Sequence, residues 1–373
     1  MRLLIVTHGL LTAEFGASQL ALNLCEALRA RGHDVTLWSP QPLPAGTRWW
    51  RTLQVMRRKL DEFIASQPPF DFIDCPATFV TRNVSSASTV IVRSTQPEIP
   101  YFFYGLRRPS TRPAELIRLP FEYAYSFYHL TLVLHGWRRA QRIVCLGTLE
   151  RQWMSRWFPW WRGKLGLYFS ALARADQDAL AEVRHGRVKP DEGRTRFLWI
   201  GRWTAHKGPD VLLDFIRHRV SEYPQDTFTI AGCGPEAERN CPRDLIESGV
   251  VRIIPAFKRR ELFALLAGHD AGLFTSKTEG WGLVLNEMLE SGMPVYATHA
   301  GGVLDLQPFF ESLLLPFPPP TLRSLQTLPE LAAYLDTFNW PRIADAYLAD
   351  ILEHAPASKV ASLHATQAQH ATE

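Results

Sequence analysis

Twice along this chain a run of four or five apolar residues is followed by a glycine-containing loop, a helical apolar stripe and another short apolar run. Few folds accept that order. The first instance opens with Leu3-Leu4-Ile5-Val6, too short for a helix core and bounded by His8-Gly9. An uninterrupted apolar run of that length suits a strand buried on both faces. Gly16-Ala17-Ser18 then precede Leu20, Leu24, Ala27 and Leu28, spaced i, i+4, i+7, i+8, and the stripe stops at Gly32. Val35-Thr36-Leu37-Trp38 supplies the next strand. A β-loop-α-β order implies a parallel sheet with ligands at the carboxyl ends of its strands. Runs at Phe70 to Ile73, Val90 to Val92 and Ile143 to Leu146 extend the same sheet, and Pro40 to Pro44 reads as loop.

The second instance follows a charged, glycine-containing segment, Arg184 to Arg196, and begins at Phe197-Leu198-Trp199-Ile200-Gly201. Strands are expected at Thr227 to Ala231, Val251 to Ile254, Ala271 to Thr275 and Pro294 to Thr298, with helical patterns at Val211 to Arg219 and Arg260 to Ala267. For 373 residues, two domains is an ordinary count. The expected fold class is α/β, with Rossmann-like domains over 1–190 and 191–335 and the cleft between them as the default ligand site. Ile343, Ala346, Tyr347, Leu348 and Ile351 keep helical spacing within 336–355, whereas 356–373 lose all periodicity and are expected to fray.

Several classes are excluded. The most apolar long stretch, Phe121 to Trp137, contains Glu122, His129 and His135, so no membrane span is expected. The first residues carry no basic region followed by an apolar run and a small-residue cleavage site, so export is not expected. The five cysteines are odd in number and never form C-x-x-C, which points to reduced thiols and no structural zinc. No His, Cys and carboxylate set has metal-ligand spacing. A cytoplasmic protein is expected, with peripheral attachment to the inner face of the membrane left open by the charge distribution. Residues 1–184 hold 23 Lys+Arg against 14 Asp+Glu, and the remainder 18 against 23. Residues 101–170 contain 17 aromatics, with 11 Lys+Arg against 3 Asp+Glu. Such a segment suits an anionic membrane surface, or else a helical insert that is part core and part surface. No nucleic-acid recognition motif accompanies the charge, so nucleic acid is not an expected partner.

The chemistry concentrates in two loops that each follow an expected strand. One is Ser276-Lys277-Thr278-Glu279-Gly280-Trp281-Gly282-Leu283, leading into a helix that carries Glu287 and is closed by Gly292-Met293-Pro294. Backbone N–H groups at Gly280 to Leu283 would face an anion, and the helix dipole favours negative charge there. Glu279 precedes the helix and Glu287 sits more than a turn inside it, so the two carboxylates would meet different parts of one extended ligand unless both are merely solvated. The other loop is Gly201-Arg202-Trp203-Thr204-Ala205-His206-Lys207-Gly208. Its cations Arg202 and Lys207 can approach a diphosphate from two sides, the alternative being a solvated basic loop.

As an ordered set, Gly201-Arg202, Lys207-Gly208, Gly232, Gly234, Ser276, Glu279 to Leu283, Glu287, Pro294-Val295 and Gly301-Gly302 resemble the retaining GT-B glycosyltransferases of the family 4 (glycosyl transferases group 1) type. In the N-terminal half the resemblance rests on Gly16 and on Arg31 to Val35. It implies a GT-B fold and metal-independent, retaining transfer from a nucleotide diphosphate sugar, as co-substrate and with no other cofactor, to a saccharide or lipid-linked saccharide. By the same resemblance, Arg202 and Lys207 serve the donor diphosphate and Glu287 the ribose. Glu279, with the N–H groups of Trp281 and Gly282, serves the transferred sugar, the loops near Gly232 and Phe257 to Arg259 (Lys258 among them) lie by the nucleobase, and Gly234, Gly280 and Leu283 are further donor contacts. The helix in 336–355 is implied to return to the first domain.

The chain also departs from the pattern. Gly16-Ala17-Ser18-Gln19 stands where many relatives have two glycines and an acid, and Thr95 aligns where some have a histidine. His8 and Thr95 are the remaining candidates for acceptor or sugar contact. These departures suit an alternative, a non-catalytic nucleotide-sugar-binding protein on the same fold, against which the joint presence of Arg202, Lys207, Glu279 and Glu287 argues.

Overall fold

A computed structural model describes residues 1–12, 16–105, 113–187, 193–319 and 328–356. The tail expected to fray, beyond residue 356, lies outside the described residues, as do 106–112 of the aromatic segment. The chain divides into two compact units, Met1–Ser170 with Trp340–Glu373, and Ala171–Asn339.

The first unit is built on six parallel strands: β1 (Arg2–Val6), β2 (Asp34–Trp38), β3 (Phe72–Cys75), β4 (Thr89–Arg93), β5 (Arg142–Leu146) and β6 (Leu165–Tyr168). Their order is β2-β1-β3-β4-β5-β6, with Leu4 opposite both Thr36 and Ile73. The apolar runs become strands because both faces are covered: on one, Leu4, Val6, Ile73, Val90 and Ile143 pack with Leu60, Val84, Val133 and Trp137, and on the other Leu3, Ile5, Phe72 and Ile91 are equally buried. The third strand lies two residues later than its apolar run because Asp74 is drawn inside. Arg93 donates to Asp74 at 2.7 Å with both side chains 2% exposed, and the Tyr347 hydroxyl donates to the same oxygen at 2.6 Å. Tyr347 belongs to the helix Trp340–Glu353, which is further held by Arg31 on Asp345 (2.7 Å) and Arg142 on Asp350 (2.8 Å). Those three polar ties and the buried face Ile343, Ala344, Tyr347 and Ile351 place this helix in the first unit.

The second unit repeats the arrangement with β7 (Arg196–Ile200), β8 (Thr227–Ala231), β9 (Val251–Ile254), β10 (Ala271–Phe274), β11 (Val295–Ala297) and β12 (Leu314–Pro316), in the parallel order β12-β11-β10-β7-β8-β9. Its division from the first falls at 170/171 and 339/340 rather than at 190/191 and 335/336. The cause is the helix Arg174–His185. Its stripe could face either core, but Asp176 meets Arg259 at 2.9 Å and Arg184 donates to the Pro329 carbonyl, which fixes it to the second unit. All five cysteines are buried and unpaired. Among the described residues no helix is long and apolar enough to cross a membrane.

Candidate functional site

In the second sheet β7 lies between β8 and β10, so consecutive connections leave it in opposite directions. A crevice opens outside the carboxyl ends of the strands at such a reversal. The loops 201–208 and 275–282 both start there, one after β7 and one after β10. They are stitched together: the Thr275 hydroxyl donates to the Lys207 carbonyl at 2.9 Å, the Trp199 indole donates to Thr275 Oγ1 at 3.0 Å, and Lys277 N–H donates to the His206 carbonyl at 2.7 Å. Gly208 makes the close approach feasible. Its φ is +67°, and a Cβ built on it would sit 2.1 Å from the Thr275 carbonyl oxygen. Gly208→Ala is therefore expected to cost about 2 kcal/mol or more. In a domain of this size that lowers the melting temperature by about 4–8 °C, and a thermal melt unchanged from wild type would show that the loops can part freely.

Lys207 lies at the end of the first of these loops. Its ammonium pairs with Glu279, which also accepts from the Ser276 hydroxyl at 3.2 Å; the side chains of Lys207 and Glu279 are only 15% and 11% exposed. Arg202, the other expected cation, is exposed on the same loop. His206, between them, is held neutral at pH 7 because burial, reinforced by Lys207, pushes its imidazole down to about 4. Its backbone carbonyl accepts from Lys277, and its Nε2 lies 3.3 Å from the Thr204 hydroxyl.

The helix Leu283–Glu290 begins at Gly282, whose φ of +85° turns the chain and which supplies no side-chain cap. A Cβ there would lie 2.8 Å from the Phe274 ring. The first N–H groups of a helix have no intrahelical acceptor, so an uncapped start presents donors and positive dipole to an anion. Trp281 pins this start. Its indole N–H donates to Asn286 (2.7 Å), the Asn286 amide donates to the Tyr334 hydroxyl (2.7 Å), and Tyr334 donates to Glu290 (2.5 Å). The Trp281 side chain is thus a buried anchor, 2% exposed, and only its backbone is placed to line a site. Burial raises the Glu290 carboxyl to about 7.

Glu287 is buried one turn along and pairs with Arg259, which holds Asp176 at 2.9 Å on its other side. Burial pushes the Glu287 carboxyl up and the Arg259 guanidinium pulls it back down. Glu279 and Glu287 are therefore not a carboxylate pair, since each has its own cation. At the neighbouring strand ends Gly232 and Phe257 meet, a Cβ at Gly232 falling 3.0 Å from the ring. Gly234, φ +74°, faces the Glu236 carboxylate, and exposed Lys258 leads into the helix Arg259–Ala267. Gly16, His8 and Thr95 belong to the first unit, at the start of the helix Gly16–Arg29 and in the loops after β1 and β4. Arg259, expected only as a loop residue by the base, is the cation of Glu287, and the Asn286, Tyr334 and Glu290 relay carries no local sequence signal. Among the described residues no three His, Cys, Asp or Glu side chains are grouped to hold a metal ion.

Two parallel sheets of six strands, each doubly wound with helices, are the architecture of the GT-B glycosyltransferases, and the chain has that fold. Residues 194–312 match the family described as glycosyl transferases group 1. The D-inositol 3-phosphate glycosyltransferase of Corynebacterium aurimucosum is 31% identical over 113 residues, covering 28% of this chain and 27% of the relative. The chain thus aligns with about a quarter of the length of the curated relatives it matches. The sucrose-phosphate synthase of Thermosynechococcus elongatus is similar in structure, with a TM-score of 0.62 over 99% of this chain and 98% of its own, at 16% identity. The α,α-trehalose-phosphate synthase (UDP-forming) of Burkholderia vietnamiensis gives 0.56 over 98% and 96%, at 13% identity.

Proposed function

We propose that this protein transfers a glycosyl group from a nucleotide diphosphate sugar to a saccharide or lipid-linked saccharide, with retention of anomeric configuration and without a metal. The observation that carries the proposal is the Lys207–Glu279 pair set beside the uncapped start of Leu283–Glu290 at the strand-order reversal. An ammonium with two donors left after Glu279, next to free helix N–H groups, is matched to a diphosphate on which negative charge grows.

In this reading Lys207 and Arg202 stabilise the diphosphate, while Glu279 and the backbone of Gly280 to Leu283 orient the sugar. Glu287 accepts from the ribose hydroxyls, and Gly232, Gly234, Phe257 and Lys258 border the base. In the first unit, Gly16 is read as a donor contact, and His8 and Thr95 as acceptor or sugar contacts. The bond from the anomeric carbon to the β-phosphate oxygen breaks and the acceptor oxygen bonds to the same face of that carbon. The acceptor proton passes to the departing phosphate oxygen, so no enzymic nucleophile is needed. The UDP-forming synthase of similar fold makes UDP sugars the first donors to try.

Glu287→Gln tests the donor assignment. The amide still reaches the ribose but loses the charge-assisted acceptor, worth about 10-fold in affinity. The apparent donor constant should rise by about that factor with little change at saturation. An unchanged constant would leave Glu287 as a buried partner of Arg259 and nothing more. Nucleotide release from a panel of nucleotide sugars, with and without saccharide or lipid-linked acceptors, tests transfer itself; binding without release would favour the non-catalytic alternative.

A further inference from the structure

Of the large hydrophobic side chains more than a third exposed among the described residues, all but Tyr223 lie in the first unit. Several of them converge from three separate stretches of sequence. Trp49 meets Tyr125 edge-on with ring centroids 5.1 Å apart, Tyr125 lies 6.5 Å from Tyr128, and Phe102 contacts both Phe103 (5.3 Å) and Phe127 (5.6 Å). The short 3₁₀ turn Trp49–Arg51, the helix Glu98–Gly105 and the helix Pro113–Arg139 therefore share one aromatic surface. By contrast Trp137, Phe158 and Trp161, from the same aromatic segment, pack into or against the core.

The long helix is unusual on its outer side. From Leu119 to Trp137 its exposed residues are Pro120, Phe121, Ala124, Phe127, Tyr128 and Thr131, and none is charged. A helix that faces water ordinarily shows charged residues there. Phe121 is 71% exposed and Phe127 53%. Trp49 and Trp50 are bracketed by exposed Arg48 and Arg51, with the Arg51 guanidinium 4.7 Å over the Trp50 ring. Residues 41–60 carry five Lys+Arg and no Asp or Glu.

We propose that the surface formed by Trp49, Trp50, Phe103, Phe121, Phe127 and Tyr128, with Arg48 and Arg51 at its edge, docks this protein on an anionic lipid bilayer. Tryptophan and tyrosine partition to the headgroup level, phenylalanine goes deeper, and arginines at the rim meet lipid phosphates. Charge complementarity selects this occupant. Exposed Arg48 and Arg51, in a stretch 41–60 that holds five basic and no acidic residues, match anionic headgroups in sign. The inference rests on the patch alone and holds whether or not the donor assignment does.

The test is co-sedimentation of the full chain with phosphatidylcholine vesicles, with and without phosphatidylglycerol. Binding should require phosphatidylglycerol and weaken as salt rises, because exposed charges are screened beyond about 8–10 Å at physiological ionic strength. Phe121→Ser with Phe127→Ser should lower the partition coefficient by about 10-fold or more. Arg48→Ser with Arg51→Ser should lower it by about 10–30-fold. All four residues are exposed, so circular dichroism should not change and loss of the Phe127–Phe102 and Arg51–Trp50 contacts should shift the thermal melt only slightly. Failure of the wild type to bind phosphatidylglycerol vesicles at low salt overturns the proposal, as do folded variants that bind like the wild type. So does self-association of the wild type that the same substitutions dissolve without any vesicle binding.

Discussion

Lys207→Met is expected to fold and, if Lys207 faces the leaving diphosphate as proposed, to lose about 10²–10³ in turnover, or roughly 3–4 kcal/mol of barrier lowering. The magnitude follows from where the ammonium stands. At 15% exposure it is largely withdrawn from water, so its field acts through a poorly screened medium, and Glu279 and the loop backbone hold it in place before any ligand arrives. Methionine keeps most of the aliphatic stem and removes only the charge. Lys207→Arg should recover part of the rate, because a planar fork cannot take the geometry of a compact ammonium beside Glu279. A folded Lys207→Met variant with near-normal turnover would take Lys207 out of the leaving-group role.

Arg93→Leu should destabilise the first unit by about 3–5 kcal/mol, the usual cost of stranding one member of a buried ion pair. Asp74 would keep the Tyr347 hydroxyl and lose its cation, at 2% exposure. The carboxylate must then be neutralised or the structure must open, so the first unit is expected to melt about 6–20 °C lower. Replacing both members, Asp74→Leu with Arg93→Leu, should cost much less than the sum of the single changes, since no charge is left unpaired. Chemical denaturation of the three variants measures the coupling. A loss under about 1 kcal/mol for Arg93→Leu would mean that water reaches the pair.

The strands were legible because a doubly covered parallel sheet writes its strands as short, unbroken apolar runs between glycines and charges. Leu3 to Val6, Val90 to Val92 and Phe197 to Ile200 are such runs. Asp74 broke the pattern, since a buried ion pair puts a charge where periodicity demands an apolar residue. The two loops of the site were legible from local spacing, each being a glycine-bounded segment directly after a strand. The partners that complete them were not. Arg259 finds Glu287 28 residues away and Asp176 83 away, and Asn286 finds Tyr334 across 48, distances over which no local signal survives. The domain boundary slipped for the same reason: the stripe of Arg174–His185 says that one face is buried, not against which sheet. The outer aromatic surface was hidden too, because Trp49 and Trp50 come from outside the segment whose composition drew notice.

Calorimetric titration with UDP, GDP and ADP reads directly whether the second unit holds a nucleoside diphosphate between the Lys207 loop and the start of Leu283–Glu290. One of the three should bind the wild type saturably, and the same nucleotide should bind about 10-fold more weakly to both Lys207→Met and Glu287→Gln. If none of the three binds, or if the one that binds is held equally well by both variants, the diphosphate site is not where these residues place it.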